Sequence, residues 1–436
     1  MTETQNFTTL DEWLHHIETL HAKPIDMGLE RMQMMVRKMG IRFSCPVITV
    51  GGTNGKGSTV GMLESIYRAA GYKTCAHTSP HLLRFNERAR INGIEASDED
   101  LMAAFAEVEE AREGTLSYFE YTALGILRLF QHSNPDVVIL EIGLGGRLDA
   151  INTIDSDAAV ISTIGIDHTA FLGNTREAIA SEKACIYRPG CPAVCSDADV
   201  PSTLSAYVEK IGANGIYAGR DFRTVVHEDG TFDWEGEGVR LEKLPRPALL
   251  GVNQYRNAAG VLAVVTALQA KLPVLREAIE KGLETVRLTA RFETVSQDPC
   301  PIVLDVGHNP EAAAVLAQNI RLTKREGERT MAVFGMLADK DMESVARLLK
   351  DSFDDWFIAS LTGPRAASAT LLKAAMLRAG VPEDRIESYT TVEAALAQAR
   401  FVAKNLSERP SGTVRIIVFG SFVTVTAALE ALAAHA

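Results

Sequence analysis

The sequence predicts a two-domain α/β protein built on two open, mainly parallel sheets with helices on both faces. Three observations lead there. β-Branched runs alternate with helical patterns from residue 46 to about 200, a glycine-rich loop closes the first of those runs, and a second alternation starts at Pro301. The chain has 436 residues, more than one hydrophobic core usually serves.

The first strand is expected over 47–50, followed by a helix to about Ala70 with Gly71 in the C′ position. A second strand is expected over 72–77, with helices around 98–112 and 119–132. The apolar runs at 136–141 and 158–163 have the character of strands buried on both faces. Asn174 with Glu177 three residues on reads as a capping box. Residues 220–250 are turn-rich and alternating, which predicts a small antiparallel excursion. Helices over 257–269 and 274–283 follow, and Arg291 to Pro299 is the expected domain boundary. Beyond it, strands are expected at 302–305, 331–335, 356–361 and 415–420, and helices at about 311–320, 341–350, 368–379, 392–404 and 423–434.

Hydrophobic residues make up 46% and charged residues 23%, and no apolar run reaches the roughly 18 to 20 residues that span a bilayer. The N-terminal residues lack a secretory pattern, so a cytoplasmic protein without membrane association is expected. The six cysteines show no CxxC spacing, and Cys191 and Cys195 read as reduced thiols rather than metal ligands. The net charge of −12 argues against a nucleic-acid partner and requires any anionic ligand to be held by local devices.

Such a device is the segment Gly51-Gly52-Thr53-Asn54-Gly55-Lys56-Gly57-Ser58-Thr59. Glycines let backbone N–H groups converge on an anion, and the helix that follows offers its positive end. Lys56 adds a full charge directed at phosphates, and Ser58 or Thr59 could offer a hydroxyl near Mg²⁺. The common phosphate loop has Ser or Thr after the lysine; here Gly57 stands there. Further candidates lie at strand ends, where open parallel sheets bind ligands: Ser79, Glu141 and the pair Asp167-His168. A hydroxyl, a carboxylate and an imidazole suit a nucleotide-bound Mg²⁺. Read singly, Ser79 is equally a turn residue, His168 a loop histidine, and Glu141 a strand-end charge. By itself Lys183 reads as a solvated helix lysine.

In this order, the segments GGTNGKGST (51–59), TSPHL (78–82), LEIGLGGRLDA (140–150), IGIDHTAFLG (164–173), SEKACIY (181–187), LDVGHNP (304–310), GMLADKD (335–341) and GPRAASA (363–369) resemble the folylpolyglutamate synthase/dihydrofolate synthase family of the Mur ligase superfamily. The resemblance runs from about residue 25 to Gly420. It includes KPIDMGLER (23–31), similar to the pteroate-binding segment of the bifunctional bacterial form.

The resemblance implies a P-loop-containing, Mur-ligase-like ATP-binding domain over 1–292 and a C-terminal Rossmann-like glutamate-ligase domain over 293–436. It implies ATP contacts at Thr53, Asn54, Gly55, Lys56, Gly57, Ser58, Asn257, Arg291 and Asp305, with His308 facing the same cleft. Magnesium would be held by Ser79, Glu141 and His168, and at a second site through a carbamylated Lys183. Catalytic roles fall to Lys56, His168, Lys183, Asp305 and His308. Ile25, Asp26, Met27, Ser117, Tyr118, Phe119, Glu120, Leu148, Asp149 and Ala150 would surround the pterin substrate.

The implied reaction is ATP-dependent joining of L-glutamate to dihydropteroate and to tetrahydrofolates through an acyl phosphate, in a monomer. A folylpolyglutamate synthase without dihydropteroate activity, a nucleotide-binding regulator and a cell-wall Mur ligase are the rivals. Val252-Asn253, where relatives often have His next to Gln, and Val423, where a polar residue is frequent, depart from the family pattern.

Overall fold

The computed structural model describes residues 7–23, 26, 28–407 and 413–434. They form two compact units: 1–164, 168–248 and 255–286 make the first, and 165–167, 249–254 and 287–436 the second.

The first unit is built on strands β1 (Val47–Gly51), β2 (Thr74–His77), β3 (Ala89–Ile91), β4 (Ile94–Glu95), β5 (Val137–Glu141), β6 (Ala158–Ile161), β7 (Pro192–Cys195) and β8 (Asn214–Tyr217). They form one eight-stranded sheet in the order β4-β3-β2-β5-β1-β6-β7-β8. Six strands run parallel, while β3 and β4 add an antiparallel edge beyond β2. Strands β1, β2, β5 and β6 are buried along their whole length, which is why they read as unbroken apolar runs. From β1 the chain moves past β5 to β2, and later from β5 past β1 to β6. That reversal opens a crevice at the C-terminal end of β1, where ligands of open α/β sheets bind.

One face is covered by helices Leu10–Thr19, Glu30–Lys38, Asp98–Ala111 and Tyr118–Ser133, with Trp13, Phe105, Tyr121 and Phe130 in the core. On another side, helix Arg276–Thr285 packs on Lys56–Ala69. A Cβ on Gly282 would lie 2.6 Å from the Cα of Ile66, so only glycine permits that crossing. A separate sheet of β9 (Phe222–Val226), β10 (Phe232–Gly236) and β11 (Val239–Leu244) is antiparallel, in the expected turn-rich region.

The second unit comprises β12 (Arg291–Ser296), β13 (Ile302–Asp305), β14 (Arg329–Phe334), β15 (Asp355–Ala359), β16 (Ile386–Tyr389) and β17 (Val414–Phe419). The sheet order is β12-β13-β17-β14-β15-β16, parallel except for β12. Its core is aromatic: Phe419 stacks on Phe334 at 4.7 Å and on Phe353 at 5.3 Å, beside Trp356.

Several local expectations are corrected. The stretch 291–299, expected as the domain boundary, carries β12, which pairs antiparallel with β13 and belongs wholly to the second unit. A division at 292/293 would cut that strand, whereas the units part between Val286 and Arg287. The helix after Gly173 is capped by Thr175, whose hydroxyl accepts from Ala178 N–H. Asn174 is not the cap, and Glu177 instead accepts from Thr203. Strands β3, β4, β7, β8 and β16 and the two N-terminal helices were not anticipated.

Candidate active site

The glycine loop joins β1 to helix Lys56–Ala69. Gly55 caps the helix with φ 88°, in the left-handed region, and Gly52 has φ 141°. A Cβ on Gly52 would lie 2.0 Å from Ser162 Oγ, and one on Gly55 would lie 2.6 Å from Asn257 Oδ1. The second contact places buried Asn257 against the loop. The end of β6 pins the loop from the other side. Thr53 N–H donates to Thr163 O (2.8 Å), Asn54 N–H to Thr163 Oγ1 (3.1 Å), and Ser162 Oγ to Asn54 O (2.6 Å).

Lys56 folds back over the loop, its Nζ donating to Gly52 O (3.2 Å) and Thr53 O (3.4 Å). Gly57, Ser58 and Thr59 are buried in the first turn, and the Thr59 hydroxyl donates to Gly55 O (2.9 Å).

Lys183 reaches the same loop. Its Nζ donates to Gly52 O at 2.9 Å from a buried position on helix Arg176–Ala184. The reading of Lys183 as a solvated lysine is therefore corrected. Gly146 makes the approach possible, since a Cβ there would be 2.7 Å from Glu182 O. Ser79 and Glu141 also come together, with Ser79 N–H donating to Glu141 Oε2 at 3.2 Å at the adjoining ends of β2 and β5. His168 sits at φ 51° before the short helix Thr169–Leu172, accepting at its carbonyl from Phe171 and Leu172 N–H.

Among the described residues, no three His, Cys, Asp or Glu side chains converge as a metal cage. A Ser hydroxyl and a single buried carboxylate still fit Mg²⁺, which keeps several waters and substrate oxygens in its shell.

The expected pterin segments converge beside this region. Asp149 follows Leu148, caps the turn Ala150–Thr153, and accepts from Leu144 N–H (2.8 Å) and Ile151 N–H (2.9 Å). Burial pushes its carboxyl up to about 6 against those hydrogen bonds and the charge of nearby Lys56. Phe119 lies against Gly143, where a Cβ would be 2.8 Å from the ring, and 6.3 Å from the His77 ring. Ser117 and Glu120 form a capping box that starts helix Tyr118–Ser133.

Arg31 donates from Nε to both Glu120 oxygens (3.1 and 3.2 Å) and pairs with Asp26 at 2.8 Å. Ile25 and Met27 lie outside the described residues.

In the second unit Asp305 ends β13, partly exposed, accepting from Gly307 N–H (2.7 Å) and Phe292 N–H (3.1 Å), and loss of solvent around its carboxyl raises its pKa. Arg291 pairs in register with Asp305, sits between the positive-φ residues Ala290 and Phe292, and stacks over Phe422 at 5.6 Å. His308 donates through Nδ1 to Val306 O (2.9 Å), leaving Nε2 3.4 Å from Asp167. Asp167 also takes Lys340 Nζ at 2.5 Å and Asn309 Nδ2 at 3.2 Å.

Sequence reasoning gave no role to Arg88, His77 or His81. In the segment Glu87-Arg88-Ala89-Arg90, Arg88 is buried while Arg90 pairs with Glu64 (2.8 Å). Nothing in the local sequence pattern marked Arg88.

A phosphate loop at the switch point of one parallel sheet, followed by a second Rossmann-like sheet, defines a two-domain Mur-type nucleotide-dependent ligase. Residues 50–265 match the Mur ligase middle domain and residues 290–422 the Mur ligase, glutamate ligase domain. The chain is 43% identical over 371 residues to the dihydrofolate synthase/folylpolyglutamate synthase of Escherichia coli strain K12, covering 84% of this chain and 86% of that protein. The structure of E. coli FolC in complex with DHPP and ADP superposes with a TM-score of 0.90 at 39% identity, covering 98% of each chain. A Yersinia pestis bifunctional folylpolyglutamate synthase/dihydrofolate synthase complexed with AMPPNP and Mn ion gives 0.88 at 38% identity, also over 98% of each. The chain belongs to the dihydrofolate synthase/folylpolyglutamate synthase family of Mur ligases.

Proposed function

We propose that this protein joins L-glutamate to dihydropteroate and to reduced folates, using ATP. The observation that carries the reading lies in the first unit, where Gly146, just before the expected acceptor segment 148–150, packs on the backbone of Lys183, whose amine bonds to Gly52 of the phosphate loop. The dual name of the similar proteins supports both activities.

A carboxylate repels an amine nucleophile and has no good leaving group. Transfer of the γ-phosphoryl group to it gives an acyl phosphate. The glutamate amino group then attacks, and phosphate leaves. The chain's own contribution is positioning and charge neutralisation. The loop N–H groups and Lys56 hold the nucleotide phosphates, Asn257 flanks them, and the glycines keep the cradle open.

Magnesium held at Ser79 and Glu141, with His168, would supply charge neutralisation at the transferred phosphoryl group. We place a second metal at Lys183. Addition of its amine to CO₂ releases a proton and leaves an anionic carbamate beside Gly52, where the unmodified amine now donates. Arg291 and Asp305, with His308 beside them, would serve the nucleotide, while Asp26, Ser117–Glu120 and Leu148–Ala150 would surround the pterin.

A cytoplasmic monomer completes the reading. The six free cysteines suit a reducing compartment, and no described helix is long and apolar enough to cross a membrane.

ADP release is the test, measured with glutamate plus dihydropteroate and with glutamate plus tetrahydrofolate. Release with both is expected. Release with tetrahydrofolate alone would make the protein a monofunctional folylpolyglutamate synthase, and release with neither would overturn the ligase reading.

A further inference from the structure

Arg88 is a buried cation with no acid bonded to it. It ends the short helix Phe85–Arg88, and its carbonyl accepts from Thr78 N–H (3.2 Å) beside the end of β2. The residue is 9% exposed. Its guanidinium lies 5.4 Å from the Phe85 ring and 5.8 Å from the Tyr118 ring, and Nε donates to His81 Nδ1 at 2.8 Å. His81 accepts that N–H with its ring nitrogen and brings no negative charge to the fork.

The two terminal nitrogens of Arg88 make no hydrogen bond within the described protein, yet they are not among its sealed, unsatisfied atoms. They therefore open into reachable space. The nearby acids, Glu141 and Glu87, act on Arg88 through space but do not bond to its fork. Glu87 accepts from Leu82, Leu83 and Arg84 N–H, and Glu141 accepts from Ser79 N–H. Glu141 and Glu87 offset part of the charge from a distance, but a buried guanidinium whose fork is left unbonded is unfavourable, and that planar fork matches a carboxylate in two parallel hydrogen bonds.

The place is also right. Arg88 stands at the head of β3, and β2 and β5 lie between β3 and β1, so its backbone is three strand spacings, about 14 Å, from the phosphate-loop strand, a span that a guanidinium and a bound carboxylate can bridge. Tyr118, which covers its face, precedes Phe119 and Glu120 in the expected pterin segment.

We propose that Arg88 binds the reacting carboxylate of the pteroyl acceptor, holding it by its fork towards the phosphate loop, with His81, Phe85 and Tyr118 as the frame that sets the fork's direction. This rests on the ligase reading above and assigns it a substrate-binding residue.

The test compares binding of dihydropteroate with that of its carboxamide analogue, by titration calorimetry of the full chain. Wild type is expected to prefer the acid by at least about tenfold. Arg88→Gln is expected to lose that preference while binding ADP as wild type does, and Arg88→Lys, which keeps the charge without the fork, to fall between. An Arg88→Gln protein that binds ADP and keeps the preference overturns the proposal. If Arg88→Gln does not fold, Arg88→Lys with wild-type preference overturns it. Equal binding of acid and amide by wild type also overturns it. ADP release by wild type with both acceptors would leave the ligase reading standing in any of these cases.

Discussion

Single residues carry the chemistry, and they differ in how plainly they announce it. Lys56 was legible because strand, glycines, lysine and helix occur in the only order that makes an anion cradle. Its Nζ touches only loop carbonyls, so Lys56→Ala should abolish acceptor-dependent ADP release and leave the melting temperature nearly unchanged. Lys183 was legible only through family resemblance, since its helix pattern gives no sign that Gly146 lets it sink onto Gly52. Lys183→Ala should reduce activity severely, with partial recovery in short carboxylates; wild-type activity in that variant would remove the carbamate.

Asp149 makes a pH prediction. Burial holds its folded pKa at about 6 against an ordinary 3.8. Below the ordinary value both states are protonated and ionisation imposes no penalty. As pH rises towards the folded value the unfolded chain ionises first, so the folded state loses stability, and the loss is complete above it. The melting temperature of Asp149→Asn should therefore move upward relative to wild type as pH rises from about 4 to about 6, and keep a constant offset above that. A constant offset across the rise itself would show that its ionisation is not linked to folding.

At the scale of elements, strands β5, β6 and β13 were read correctly because a strand buried on both faces leaves an unbroken apolar run. Edge and short strands left weaker marks. β16 (Ile-Glu-Ser-Tyr) buries only its first residue, and β4 is exposed throughout, so neither has a run to read. The capping boxes at Thr9 and Ser117 were present as spacing, yet only geometry shows both reciprocal bonds.

Helix contacts were illegible altogether. Nothing around Gly282 indicates that it meets Ile66, because the partners are far apart in sequence. Gly282→Ala would force a methyl group against the Ile66 backbone, which cannot swing aside. A loss of about 1–3 kcal/mol in urea unfolding is expected. An unchanged midpoint would mean that the helices separate more freely than the close crossing implies.

For the whole molecule, residues 165–167 and 249–254 belong to the second unit although both are embedded in the sequence of the first. Asp167 shows how such a segment is held, through Lys340 at 2.5 Å, His308 and Asn309. Removing one partner of a buried pair leaves the other charge uncompensated. Asp167→Ala should cost about 3–5 kcal/mol in equilibrium unfolding, and Lys340→Met in that background should recover part of it. Additive losses in the double variant would count against the pair.

By itself the sequence determined the two parallel sheets, the phosphate loop and, through motif order, the family. Local spacing and apolar periodicity carry that information within a few residues. Tertiary structure alone decided that Lys183 is buried against the loop, that Asp26 and Glu120 share Arg31, and that Arg88 presents an unpaired fork. Those facts depend on which distant segments meet, and burial and charge pairing acquire values only after they have met.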